Sequence, residues 1–302
     1  MLKKIILSLC LGLSNVAIAK SVALSFDDGL DPSINADAQH INEDILSTLK
    51  QNKIQAIVYP SISKIGGTNG LNIISNWGKQ GHRIGNHGNL HLNLNKDEVN
   101  LSTYLQDMQQ GHEMFSSLAG FIPRYRFPFL KEGNTLEKRD NVRKWLSSHS
   151  YKSGAVSIDA SDWYYNQLFL KYHQEKDQTS LAKLKQAYIV HLLDRAKYYD
   201  DLAIQTLGRS PNHVLLLNIR AINAAWLEDI IASFKREGWK FIDSDTAYQD
   251  AIYKIQPNLL PAGESIIWNI AQIYGVNNLR YPAEDAPYEY LNLANHGLEV
   301  EK

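Results

Sequence analysis

The 302-residue chain is 44% hydrophobic and 21% charged, with 31 basic residues, 32 acidic residues and a single cysteine, Cys10. A formal charge of -1 gives no basic footprint for nucleic acid, and one cysteine excludes an internal disulfide framework. The composition is that of an ordinary globular protein, neither repetitive nor low in complexity.

Lys3 and Lys4, the apolar stretch 5–13 and Ala17-Ile18-Ala19 together read as a secretory signal over residues 1–19. Cleavage near Ala19 would yield a secreted or periplasmic protein starting near Lys20 and lacking any thiol. Loss of Lys3 and Lys4 takes the basic count from 31 to 29 against 32 acidic residues, a formal charge of -3. The apolar stretch is too short to cross a bilayer, and no other approaches the roughly 20 apolar residues of a membrane helix. No membrane span is expected, and the sequence does not set the oligomeric state. No linker or repeat divides the remainder, so one domain is expected over 20–250, with an extension over 251–302 packed on it.

Short apolar runs alternate with longer helical periods, the pattern of βα units around a parallel sheet. Strands are expected at 22–26, 55–59, 83–86, 125–127, 155–158, 214–218 and 240–242. Between the first two, Ile41, Ile45 and Leu49 share one helix face. Another helix is expected over 99–118. The stretch 163–207 is too long for a crossover and reads as a helical insertion, and 265–274 is a helix candidate in the extension. These features predict an α/β fold, a distorted (β/α) barrel of about seven strands. Polar residues collect where the strands end, which in such barrels is the active-site rim.

His87 and His91 are four residues apart, a spacing that lets two imidazoles face one way on a helical turn. With Asp28 they form a two-histidine, one-carboxylate set that can hold a divalent metal and leave positions open for water and substrate. Asp27 and Asp28 end an apolar strand, where neighbouring side chains diverge, so one can bind metal while the other handles protons.

Ser25-Phe26-Asp27-Asp28-Gly29, then His87 to His91, then Arg126-Phe127-Pro128-Phe129, then Asp162-Trp163 stand in this order, each at a predicted strand end. In these four motifs the chain resembles the polysaccharide deacetylase family, which carries a NodB homology domain. The resemblance runs from Val22 to about Ile242. It implies a distorted (β/α) barrel that hydrolyses acetyl groups, usually from the nitrogen of an amino sugar. It also implies a metal on Asp28, His87 and His91, with Asp27 as the general base and Arg126 orienting it. The backbone N–H of Phe129 would face the oxyanion, and Trp163 would wall the sugar site. The metal expected is one zinc, with cobalt, nickel or iron as alternatives; the partner expected is an acetylated glycan.

The pattern breaks at the fifth motif, where the family has a histidine that protonates the leaving amine. Here the strand 214–217 is followed by Asn218, which can donate a hydrogen bond but does not deliver a proton. Asp162, which would orient that histidine, loses its partner. His213 lies five residues back, about 16 Å along a strand, and His82 is similarly remote from His87. His173 and His191 fall in the insertion and read as surface or packing residues. Gly88, where many family members have Ser or Thr, is not an expected ligand. The reading is therefore an exported, metal-dependent hydrolase of N- or O-acetylated polysaccharide, impaired at its acid. The alternatives are a weak or inactive carbohydrate-binding homologue and a metal amidohydrolase of small C–N bonds.

Overall fold

A computed structural model describes residues 20–283 and 287–298; the signal segment expected at 1–19 lies outside them. The first half alternates strand and helix: β1 (Ser21–Asp28), α1 (Ala38–Asn52), β2 (Ile57–Pro60), α2 (Leu71–Lys79), β3 (Arg83–Asn86), α3 (Leu101–Phe115) and β4 (Phe121–Tyr125). Then come β5 (Lys131–Gly133), α4 (Leu136–Ser148), β6 (Lys152–Ser153), α5 (Asp162–Gln174) and α6 (Gln178–Leu207). The chain continues through β7 (Asn212–Asn218), α7 (Ala221–Arg236), β8 (Lys240–Phe241) and α8 (Ser244–Ala247). The extension holds β9 (Ala262–Gly263), α9 (Ile266–Ile273) and α10 (Pro287–Asn295).

All eight residues of β1 are buried, as expected for a parallel strand covered on both faces. On one side of it, Val22, Leu24 and Phe26 join the main core, to which α1 contributes Ile41, Ile45 and Leu49. The strand order is β6-β4-β3-β2-β1-β7, with β8 added on β1 and every named pair parallel. Ile158 forms a parallel bridge to Leu215 of β7. The segment from β6 to Ile158 thus runs from β4 to β7 and closes the ring, giving a distorted (β/α) barrel.

Two strand expectations need correction. The strand expected at 155–158 makes only the Ile158–Leu215 bridge, whereas regular pairing falls on Lys152 and Ser153. One short segment has to cross from β4 to β7 and is too short to ladder with both. The strand expected at 125–127 lies at Phe121–Tyr125. Pro123 within it lacks a backbone donor and reads as a breaker, which hides the strand in the sequence.

The insertion is a helical hairpin of α5 and α6. Asp177 caps α6 by accepting from Ser180 N at 3.0 Å, and Gly208 ends it in the left-handed conformation. The extension lies against the barrel's closing segment: β9 pairs antiparallel with β5, and Ser265 Oγ and Ile266 N each donate at 2.8 Å to Ser157 O and Val156 O. Among the described residues no helix is long and apolar enough to cross a membrane.

His213 occupies the opposite end of β7 from Asn218. Its Nδ1 is 3.0 Å from Ser157 Oγ and its Nε2 is 3.2 Å from Asp200 Oδ1. These are the residue types of a nucleophilic triad, but Ser157 and His213 are both wholly buried. The set cross-links the barrel wall and offers nothing to a substrate.

Candidate functional site

A cavity of about 540 Å³ opens at the rim where β1, β3 and β7 end. It is lined by Asp27, Asp28, His87, His91, Phe129, Trp163 and Asn218, so the strand order brings together residues as much as 191 positions apart. Arg126 and Asp162 stand directly behind the lining. All nine residues expected from the sequence meet here.

Asp28 ends β1 at a φ of 76°, and Gly29 follows at 107°. A Cβ on Gly29 would sit 2.4 Å from Ile65 Cγ2, so only glycine allows this exit from the strand. The turn aims Asp28 Oδ1 at the histidines: His91 Nε2 is 3.2 Å away and His87 Nε2 is 3.9 Å away. Oδ2 of the same carboxylate faces the other way and accepts from Asn218 Nδ2 at 3.3 Å and Arg220 at 3.1 Å.

His87 and His91 do not share a helical turn. Residues 87–91 form a loop with Gly88 and His91 at positive φ, 76° and 55°, and this corrects the expectation of a helix. Asp107 of α3 holds the loop by accepting from Asn89 N at 2.9 Å and Leu90 N at 2.6 Å. Those bonds bring its carboxylate so close that a Cβ on Gly88 would lie 2.1 Å from Asp107 Oδ2. Glycine at position 88 is therefore a requirement of the loop. A helix would also have left Asp107 without these partners.

His87 Nδ1 lies 2.8 Å from the carbonyl of Arg126. Only a protonated Nδ1 can satisfy that oxygen, so Nε2 carries the lone pair that faces Asp28. Burial, and after it His91, pushes the His87 imidazole down to about 3, which keeps it neutral and able to ligate. Asp28 Oδ1 is buried and has no hydrogen-bond donor. One ligand atom from each of Asp28, His87 and His91 lies within 4.8 Å of the others. An orphaned carboxylate oxygen and two imidazole nitrogens around one point fit a divalent cation, with the carbonyl of Arg126 as an outer partner for His87. For Asp28 the burial penalty is outweighed by His91, His87 and Arg220, which hold its carboxyl well below the usual range.

Asp27 points away from the loop toward Arg126, whose Nη1 donates to both carboxylate oxygens at 3.0 Å. Arg126 is itself fixed by Ser25 Oγ, the carbonyl of Gly154 and the ring of Tyr59, 4.5 Å away. Burial pushes the Asp27 carboxyl up to about 7; Arg126 opposes the shift and Asp28 adds to it. An ionised Asp27 with its proton affinity raised in this way is matched to accept a proton near neutrality.

Asp162 is wholly buried at the start of α5. Its Oδ2 accepts from Asn218 N at 2.5 Å and Asn223 Nδ2 at 2.7 Å, while Oδ1 has no partner. Burial raises its carboxyl to about 6 against the pull of Arg220. Phe129 and Leu130 both adopt a φ of 56°, and the Phe129 ring stands edge-on to His91 at 4.5 Å. With Asp28 and His91, four residues of this rim hold backbone conformations that cost side-chain-bearing residues about 1 kcal/mol or more each.

No imidazole replaces the missing acid. His82 accepts from Ala56 N, His191 accepts from Ser161 N, and His173 is exposed against Phe169. Of the histidines, only His87 and His91 line the cavity. Sequence reasoning missed Arg220 and Asp107. Arg220 follows Asn218 by two positions, and its place at a strand end was a usable signal. Asp107 sits mid-helix among ordinary polar residues and gives none.

Residues 15–152 match the polysaccharide deacetylase family. A peptidoglycan-N-acetylglucosamine deacetylase of Bacillus cereus is 33% identical over 146 residues, 47% of this chain and 46% of that protein. The chain thus spans about half the length of the curated relative it matches. The fold is shared with the chitin deacetylase of Colletotrichum lindemuthianum, at 16% identity and a TM-score of 0.52 over 78% of this chain and 90% of that one. It is also shared with a CE4 family pseudoenzyme from Bacillus anthracis, at 14% identity and a TM-score of 0.50 over 76% and 65%. Over residues 15–152, just under half of its length, the chain is thus similar to the polysaccharide deacetylase family.

Proposed function

We propose that the chain is an exported hydrolase that removes acetyl groups from a glycan with the help of one divalent metal, zinc by preference. The observation that carries this reading is the buried, donorless oxygen of Asp28 facing two imidazole nitrogens at the cavity floor. When bound there, the ion would polarise the acetyl carbonyl and lower the pKa of water. Asp28, His87 and His91 would hold it. Asp27, fixed by Arg126, accepts the proton of the attacking water. The backbone N–H of Phe129 faces the oxyanion, and Trp163 supplies an apolar wall for a sugar ring. The domain is taken to span 20–250, with 251–302 as its packed extension.

Acetate release from N- and O-acetylated oligosaccharides tests the reading, using metal-depleted and zinc-restored protein. Zinc-dependent release is expected. Asn218 favours a second reading, a carbohydrate-binding homologue without turnover; glycan binding with no acetate from any substrate, at one zinc per chain, would select it.

A further inference from the structure

The leaving-group side of the site holds a cation where a proton donor was expected. Position 218 is Asn, and Asp162 behind it is wholly buried with one oxygen engaged by Asn218 N and Asn223. Arg220 follows two positions later, between β7 and α7, and lines the cavity. Its side chain is 28% exposed. One guanidinium nitrogen donates to Asp28 Oδ2 at 3.1 Å, while Nε has no hydrogen-bond acceptor. Asp27 and Arg126 make up the proton-accepting side, and Asp28 stands between that pair and Arg220. A guanidinium stays charged at every working pH, so it stabilises negative charge but cannot give up a proton.

Resting on the acetyl-hydrolase reading, we propose that Arg220 is a catalytic residue that stabilises a departing sugar alkoxide, so that the chain turns over acetyl esters and leaves acetamides nearly untouched. The water oxygen bonds to the acetyl carbon and its proton passes to Asp27. Collapse then breaks the bond between that carbon and the sugar oxygen, and the electron pair goes to the sugar oxygen, held by an Arg220 N–H. Solvent water in the open cavity supplies its proton, and Asp27 returns its own to solvent. The sum is ester plus water giving alcohol and acetic acid. An acetamide is strongly disfavoured on this course, because its nitrogen must be protonated before the C–N bond breaks, and the proton held by Asp27 lies on the far side of Asp28 from the leaving group. Neither Asn218 nor Arg220 has a proton to give.

The test uses the full chain with one zinc bound and three substrates: an O-acetylated xylo-oligosaccharide, 4-nitrophenyl acetate and an N-acetylglucosamine oligomer. The alkyl ester should exceed the acetamide in kcat/KM by at least about 10³-fold, combining the ester's own reactivity with the missing acid. Arg220→Gln should lower kcat on the alkyl ester by about 10²-fold, the usual loss for one preorganised donor to developing charge. The aryl ester needs no help in leaving and should stay within about threefold, with zinc content unchanged. Arg220→Lys should recover part of the alkyl-ester rate. Equal losses on the alkyl and aryl esters would overturn the proposal, because Arg220 would then act only by holding Asp28. Acetamide turnover within about tenfold of the alkyl ester would overturn it too, while leaving the acetyl-hydrolase reading intact. Hydrolysis of none of the three with zinc bound would sink both.

Discussion

Replacing Asn218 with histidine should restore proton delivery to a leaving amine, and the surroundings of position 218 set the size of the effect. Asp162 already accepts from the backbone N–H of residue 218 and from Asn223, and its Oδ1 is buried without a donor. Such an orphan typically costs about 1–3 kcal/mol. An imidazole Nδ1–H at 218 is a natural partner for it, and that bond would leave Nε2 toward the cavity. The exchange sacrifices the Asn218 bond to Asp28 Oδ2, 3.3 Å long, on an oxygen that Arg220 also serves. That loss should be near the usual 1 kcal/mol or below. Asp162, raised to about 6, is ionised above that pH and favours the imidazolium, while Arg220 opposes it. The new acid should titrate not far from neutrality. General acid catalysis is worth about 10²- to 10⁴-fold, or roughly 3–5 kcal/mol of barrier. Acetate release from N-acetylglucosamine oligomers by the zinc-loaded Asn218→His variant should rise by that factor. A descending limb should appear in its pH profile as pH rises through the imidazole pKa, because only the protonated form can donate. The rate on 4-nitrophenyl acetate should change little. An unchanged acetamide rate, with zinc bound and the fold intact, would refute the idea that proton delivery at position 218 limits the reaction.

Asp27→Asn should retain zinc and lose most hydrolysis of every substrate, since Asp28 and the two histidines supply the ligands; loss of zinc in this variant would show that the two aspartates' roles are reversed. His87→Ala and His91→Ala should each lower zinc content measured by elemental analysis, and unchanged content in both would sink the metal assignment. Asp27 must be ionised to accept a proton, so kcat/KM should fall as pH falls through its pKa. That value is raised to about 7 without a cation, and a bound dication would move the limb lower. A profile with no acid limb between pH of about 4 and 7 would argue against Asp27 as the base. Asp107→Ala removes both acceptors of the 89–90 backbone, so zinc affinity in a competition titration should weaken by about 10- to 100-fold, as for other residues that support ligands from behind.

Much of the barrel was legible because its signals are local. Apolar runs of strand length, the helix face of Ile41, Ile45 and Leu49, and paired polar residues at strand ends each lie within a few positions of one another. What could not be read depends on distant partners. Pro123 argues against a strand, yet β4 runs through it because β3 and β6 flank it on either side. The 155–158 segment has strand composition but must bridge two separated strands, so only Ile158 pairs with β7. The i,i+4 spacing of His87 and His91 suggests a helical turn. The turn is a loop because Gly88 is needed under Asp107, 19 residues away on α3.

Arg220 shows why a motif departure should be judged with its neighbours. Reading Asn218 alone suggests only a lost function, since an amide side chain replaces a titratable one. In the folded chain, that amide and the guanidinium two residues later converge on Asp28 Oδ2 and leave Oδ1 directed at the histidines. A histidine cation at 218 would stand near Arg220, and the like charges repel, although Arg220 is paired with Asp28 and Asp162 lies against residue 218, so the carboxylates offset much of the repulsion. Arginine at 220 and a protonated histidine at 218 are therefore antagonistic, and the chain carries the arginine. This gives the double variant Asn218→His with Arg220→Gln a definite expectation: its imidazole should titrate higher than in Asn218→His alone, and its acetamide rate at neutral pH should be higher as well. Independent effects of the two substitutions, with the imidazole pKa measured by NMR unchanged by the loss of Arg220, would show that the guanidinium does not reach position 218 electrostatically.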